Sequence, residues 1–305
     1  MPADIAIVIP TYMRPQRTLR AVRSALRQRG VRAQVVVIDD GSPVPFVLPG
    51  EIADAGVRLV RLQANGGPAA ARNAGVAATS APLIAFLDSD DFFLPDSLSP
   101  RLTEFEKLVK SSQLLLFSSS VWRWVPGRSA HEYRPIEASS VETFAGGCWY
   151  FPGSTSIFAR STWDRVGPLD TGMQRLEDYE WSLRLALAGG VLRVAPQTAV
   201  VIEQPSRAGL AKVNSAIALL LKRYGPGGSH ALDGQTLARL RAYLALEKAS
   251  SALGSGHYSS LAWALASSFR HRPRLSLHLT DWWSSKIGSG VELGKIEDIA
   301  RSLSQ

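Results

Sequence analysis

Residues 83–91 read LIAFLDSDD: five apolar residues, Leu83 to Leu87, run into carboxylates at Asp88, Asp90 and Asp91. Like charges that close together repel, and a cation held between them relieves the repulsion most directly. An apolar run that delivers acids to one point reads as the end of a buried strand. It decides the fold because similar runs precede it. IAIVIP (5–10) leads into Thr11 and Tyr12, QVVVIDD (34–40) ends in Asp39 and Asp40, and VRLVRLQ (57–63) is a third. Between them, 15–29 carries Leu19, Val22 and Leu26 at helical spacing, and GPAAARNAGVAAT (67–79) is an Ala-rich helix opened by Gly-Pro. Strands alternating with helices predict an α/β fold with a mostly parallel central sheet covered on both faces. Such sheets bind ligands at the carboxyl ends of their strands, where these acids gather. Neither G-x-G-x-x-G nor a Walker phosphate loop follows any of the strands.

After residue 100 the texture changes. A helix is predicted over 96–110 with Asp96 as its N-cap, and strands over 113–124 and 154–160 with a Pro/Gly/Ser-punctuated region between them. A further helix covers 177–190. From about 210 the chain reads as helical, broken at YGPGGS (224–229) and GSGHYSS (254–260). The expected division is a catalytic domain over 1–209, with a nucleotide-binding half (1–100) and an acceptor half (101–209), followed by a helical region over 210–305.

Of the 305 residues, 46% are hydrophobic and 20% charged. A single cysteine, Cys148, excludes an intramolecular disulfide framework, no Cys/His spacing suits zinc, and a cytoplasmic location fits best. MPADIAIVIP lacks a basic leader and reads as a first buried strand, and no window approaches 18 apolar residues. The net charge is +8, but the arginines are dispersed and no nucleic-acid motif surrounds them, so no nucleic-acid partner is expected.

Four constellations carry chemistry. In extended chain Asp88 and Asp90 project to one side and Ser89 to the other, and carboxylates are hard ligands suited to Mg²⁺ or Mn²⁺; a solvated acidic turn would look the same. Asp39 and Asp40 can accept hydrogen bonds from a ribose or a base, although Asp-Gly-Ser-Pro is also turn chemistry. Arg72 lies on the second turn of a helix whose glycine-rich start favours a phosphate, or it faces solvent. Glu177, Asp178 and Glu180 crowd a helix start, where they cap it or provide a base.

Taken in order, IAIVIPTYMRP, VVVIDDGSP, NGGPAAARNAG, LIAFLDSDD, VGPLD and LEDYEWSLRLA resemble the family 2 glycosyltransferases, over roughly residues 4–190. The resemblance implies a GT-A fold with a helical C-terminal appendage. It implies an inverting transfer of a sugar from a nucleotide donor, UDP-sugar foremost, to an acceptor hydroxyl, with Mn²⁺ or Mg²⁺. It places Pro10, Thr11 and Tyr12 against the donor base, Asp40 reading that base with Asp39 beside it, and Arg72 and Ser89 on the donor. Asp90 is then the principal metal ligand, Asp88 its partner near the ribose, and Asp178 the general base. Processive members carry Q-x-x-R-W and membrane helices. Here QPSRA has Gln204 and Arg207 but Ala208, so a single addition is expected, with Arg207 near the diphosphate. A nucleotidyltransferase would share the nucleotide half but needs a glycine-rich, lysine-bearing first loop, where PTYMRP stands. A non-catalytic sugar-nucleotide-binding module would not need Asp88, Asp90 and Asp178 together.

The acceptor is expected to be a carbohydrate or lipid-linked precursor with its pocket around 120–155, where Trp122, Trp124, Trp149 and Tyr150 either stack on sugar faces or belong to the core. Near the C-terminus, Trp263, Phe269, Trp282 and Trp283 accompany Arg270, His271, Arg272 and Arg274. This pairing suits either a peripheral contact at the inner face of the cell membrane or a packed appendage with buried tryptophans.

Overall fold

The computed structural model describes residues 4–109, 114–148, 150–203, 209–272, 283–287 and 290–305. The first third follows the predicted alternation: β1 (Ile5–Thr11), α1 (Pro15–Leu26), β2 (Ala33–Asp39), α2 (Gly50–Asp54), β3 (Arg58–Arg61), α3 (Gly67–Ala77) and β4 (Leu83–Phe86); the short helix α2 is not among the predicted elements. β1 pairs in parallel with β2 and β4, and β2 with β3. The central strands are buried on both faces. Ile5, Ile7, Ile9, Val35 and Val37 join one core with Ala21 and Val22 of α1. Val8, Val36, Ile38 and Ile84 join the other with Ala69, Ala71 and Val76 of α3. The alternation within a continuous apolar run follows from the two-residue period of a strand. α3 lies close on β1 because Gly75 faces it: a Cβ there would stand 2.2 Å from Val8 Cγ1.

β5 (Phe92–Phe93), α4 (Leu98–Val109), β6 (Leu115–Val125), β7 (Ser129–Pro135), α5 (Val141–Ala145), α6 (Pro152–Thr155), β8 (Ile157–Ala159), α7 (Arg160–Val166), α8 (Glu177–Leu187) and β9 (Val191–Glu203) complete the second half. β8 inserts antiparallel between β4 and β6, so the sheet continues from the parallel half into a mixed one. Two local expectations change. The stretch expected as a strand over 154–160 begins as the helical turn α6. Asp96 does not cap α4, which begins at Leu98: its backbone turns left-handed (φ 53°), and its carboxylate accepts from Arg29 Nε at 2.9 Å.

The C-terminal helices are α9 (Leu210–Tyr224), α10 (Gly234–Gly254) and α11 (Tyr258–His271), broken where glycine and proline predicted. Asp233 caps α10, accepting from the amides of Gln235 and Thr236. Leu220, Tyr224, Leu240 and Tyr243 enter the same core as α3 and α8. Two further elements return to the sheet: β10 (Trp283–Ile287) pairs antiparallel with β7, and α12 (Gly290–Ser304) sets Ile296, Ala300 and Leu303 against Phe92, Trp124 and Val201. Among the described residues, no helix is long and apolar enough to cross a membrane.

Candidate active site

A cavity of about 1110 Å³ opens over the carboxyl ends of β1, β2 and β4, bounded by α8 and α10. It gathers most of the residues singled out from sequence: Pro10, Thr11, Tyr12, Asp40, Arg72 and, from the acidic turn, Asp88, Ser89 and Asp90, with Asp178 across from them. Asp39 does not line it. Its fully buried carboxylate accepts from the amides of Ser42 (3.0 Å) and Phe46 (3.1 Å), closing the loop after β2.

Asp40 accepts from Gly66 N at 2.8 Å and Gly67 N at 2.9 Å, one on each oxygen. It thus ties the end of β2 to the start of α3, and its second lone pairs remain open to a ligand. Burial raises its pKa above the ordinary range, against the pull of those two amides. Thr11 Oγ1 is 2.6 Å from Thr18 Oγ1, while Tyr12 is partly exposed at the rim.

The acidic motif is a turn rather than extended chain. β4 stops at Phe86, and Asp91 N donates to Asp88 O at 3.0 Å. Carboxylate oxygens of Asp88, Asp90 and Asp91 therefore lie within 4.8 Å of one another, and Ser89, which an extended chain would point away but the resemblance sets on the donor, lines the cavity. Asp91 is buried, with one oxygen accepting from Glu203 N at 3.0 Å and the other from Ser154 Oγ. Burial, with Asp90 and Asp88 beside it, drives its pKa well up. Burial and Asp88 raise Asp90 as well, opposed by Arg14 and Arg17. This donor set fits a hard divalent cation: Asp88 and Asp90 face the cavity, and Asp91 is committed to the protein behind them.

Arg72 is buried at the centre, with Nη2 2.6 Å from Asp88 and Nη1 2.8 Å from Glu177. Burial would lower its pKa, but Asp88, Glu177 and Asp178 outweigh it, so the guanidinium stays charged. Gly153 makes room for this pair, since a Cβ there would meet Asp88 Oδ2 at 2.3 Å. Glu177 is pushed up to about 7 by burial and by Asp178, with Arg72 opposing. Asp178 is half-buried on the first turn of α8, its Oδ1 accepting from Tyr179 N at 2.7 Å. Glu180, the third acid there, turns away from the cavity onto Arg184 and Arg223.

Sequence patterns assign no role at the cavity to Ser154 or Glu203, and they do not show that Asp91 is bound from behind or that Glu177 pairs with Arg72. The run of three acids in four residues is the signal for Asp91 and the acid-crowded start of α8 the signal for Glu177; Ser154 and Glu203 have none. Of the two readings of the aromatics around 120–155, the core one holds for Tyr150 and Trp124, which are buried, while Trp122 packs beside α12. Trp149, Gln204, Arg207, Ala208, Arg274 and Trp282 lie outside the described residues. The cavity wall beyond Asp178 comes instead from Arg175, Lys212, Tyr243, Glu247, Ser250 and Ser251. Glu247 accepts from Tyr243 Oη at 2.8 Å.

The chain is 45% identical over 96 residues to the succinoglycan biosynthesis protein ExoO of Rhizobium meliloti, 31% of this chain and 28% of that one. It is 42% identical over 106 residues to ExoU of the same organism (34% and 31%). The match thus spans less than a third of either relative's length. The pre-mycofactocin glycosyltransferase of Mycobacterium tuberculosis is 31% identical over 63% of this chain and 41% of its own. In fold the chain resembles S. aureus TarS 1-349 in complex with UDP-GlcNAc, with TM-score 0.57 and 15% identity over 89% of this chain and 81% of that one. The description of glycosyl transferase family 2 matches residues 6–165, just over half of the chain. With a sheet of the expected class and the family's blocks meeting in one cavity, the chain belongs to glycosyl transferase family 2.

Proposed function

We propose that this chain transfers a single sugar, with inversion, from a UDP-sugar to a hydroxyl of a carbohydrate or lipid-linked acceptor. The observation that carries this reading is the shared cavity, which sets the strand-end residues, the acidic turn and Asp178 around one space. The relatives' part in succinoglycan biosynthesis and the UDP-GlcNAc complex of TarS support the polymer-type acceptor and the UDP donor.

The donor's base lies along Pro10, Thr11 and Tyr12 and meets the free lone pairs of Asp40. Asp88 and Asp90 would hold Mn²⁺ or Mg²⁺, which would supply positive charge to stabilise the leaving diphosphate. Arg72 fixes Asp88 from behind and keeps positive charge under the donor. Asp178 takes the proton of the acceptor hydroxyl as its oxygen bonds to the anomeric carbon; the bond from that carbon to the diphosphate oxygen breaks, and the nucleoside diphosphate leaves. Without a covalent intermediate, one displacement inverts the anomeric centre. Glu177, held on Arg72, leaves Asp178 as the acid open to the acceptor. The acceptor occupies the end lined by Tyr243 and Glu247, whose hydroxyl and carboxylate suit sugar hydroxyls.

The reading places the enzyme in the cytoplasm, in peripheral contact with the membrane. Supporting this, Trp263 is 66% and Phe269 46% exposed on α11, next to Arg270, and no carboxylate occurs from Lys248 to Thr280. Sedimentation with phosphatidylglycerol vesicles at low and high salt tests the contact; no binding at low salt removes it. The transfer itself is tested by following UDP release from a panel of UDP-sugars, with EDTA and with Mn²⁺ restored, and by NMR of the product's anomeric configuration. Loss of release in EDTA, its recovery with Mn²⁺ and an inverted product are expected. Full release in EDTA, or a retained anomer, refutes the metal or the single displacement respectively.

A further inference from the structure

Arg14, Arg17 and Arg20, at the start of α1, face the acidic turn, and they are held very differently. Arg17 and Arg20 share the Glu203 carboxylate at 2.5 and 2.6 Å. Arg20 is also buried, donates to Asp90 O at 2.5 Å, and lies 5.0 Å from the Phe92 ring and 5.5 Å from that of Trp124. Arg14 has no such anchoring. Its side chain is 43% exposed at the cavity rim, and among the described residues its guanidinium is paired with Asp90, Nη1 to Oδ2 at 2.5 Å.

Asp90 is the more buried partner, its side chain 13% exposed, and it shares the turn with Asp88 and Asp91. So much negative charge with little water needs a positive neighbour at all times. A divalent ion on Asp90 would compete with Arg14 for the same carboxylate, and two cations against one carboxylate repel. We propose that Arg14 is an exchangeable counterion: it neutralises Asp90 in the free enzyme and moves to the donor diphosphate when cation and donor enter. This rests on the assignment of Asp88 and Asp90 to the cation. A long, half-exposed side chain at the rim can make that move, and its planar fork suits a phosphate as well as a carboxylate. The consequence is coupling: the diphosphate draws Arg14 away from Asp90, so donor and cation strengthen each other's binding.

The experiment is Mn²⁺ binding, read by the electron paramagnetic resonance of free Mn²⁺, for the full chain, Arg14→Gln, Arg14→Lys and Asp90→Asn, each with and without UDP. Without UDP, Arg14→Gln is expected to bind Mn²⁺ about two- to fivefold tighter than the parent, the size of a lost exposed ion pair. Arg14→Lys, which keeps the charge, stays near the parent, and UDP enhances Mn²⁺ affinity less in Arg14→Gln than in the parent. Equal or weaker Mn²⁺ binding by UDP-free Arg14→Gln overturns the exchange and leaves the metal site standing. Asp90→Asn binding Mn²⁺ as well as the parent overturns the metal site, and the exchange with it.

Discussion

The two walls of the cavity are made in different ways. On the strand-end wall the backbone does most of the positioning: Asp40 is held by two amides at the start of α3, Asp91 by an amide of β9, and the acids of the turn by its own hydrogen bond. The opposite wall is side chain on side chain. There α10 presents Tyr243 and Glu247, held by packing of Tyr243 on Tyr179, with ring centroids 4.8 Å apart, and by their own hydrogen bond. A wall pinned by backbone leaves a local motif in the sequence, because loop length and glycine placement are part of its geometry. A wall of packed helices can change its side chains without altering its frame. The first suits the donor, constant in its diphosphate; the second suits the acceptor.

Substitutions on either side should separate these roles. The largest effect is expected at Asp178, where the walls meet: Asp178→Asn should lower turnover by about 10²–10⁴-fold, the usual range for a general base, while UDP binding by calorimetry stays unchanged. Donor affinity falling in step with turnover would move Asp178 to the donor wall. Glu247→Ala should lower the ratio of transferred to hydrolysed sugar by roughly 10–100-fold, as for a lost hydrogen bond to a charged group, without weakening UDP binding. A matching loss of UDP affinity would show that the two walls are not separate.

Smaller effects test the frame. Gly75→Ala drives a methyl into Val8 and should cost about 1–3 kcal/mol in urea unfolding, the range for overpacking a core. An unchanged midpoint would show that α3 is free to shift on β1, contrary to a backbone-pinned wall. The last effect concerns pH. Glu177, pushed up to about 7 from an ordinary value of 4.5, binds its proton more tightly folded than unfolded. Its contribution to stability is therefore greatest at low pH and is lost as pH rises from about 4.5 through 7. Glu177→Gln should flatten the melting temperature against pH across that window, and a slope equal to the parent's would assign it to other groups.

Much of the strand-end wall is legible in the amino-acid order. Runs such as IAIVIP and VVVIDD are continuous because both faces of a parallel strand are buried, and their polar ends mark where the sheet stops. The geometry within the acidic motif is not legible in this way, since an extended chain pairs Asp88 with Asp90, whereas the turn also brings in Asp91. The wall made by α10, proposed for the acceptor, is hidden for a different reason. The aromatics that composition offers for it, Trp124 and Tyr150, are buried by the fold, and a tryptophan's sequence neighbours do not say which helix will cover it.

Local sequence is sufficient for the alternating frame, for the strand ends that carry Thr11, Asp40 and Asp88, and for the helix starts at Gly67 and Glu177, since each depends on residues within a few positions of one another. Which of these groups meet is set only when the chain folds on itself. Arg72 reaches Glu177 across 105 positions, Glu203 offers its amide to Asp91 across 112 and its carboxylate to Arg20 across 183, and α10 supplies a wall to a cavity begun at residue 10. Such pairings are chosen by how helices and strands pack once the chain has closed its long loops, and packing of that range leaves no periodicity or spacing in the sequence.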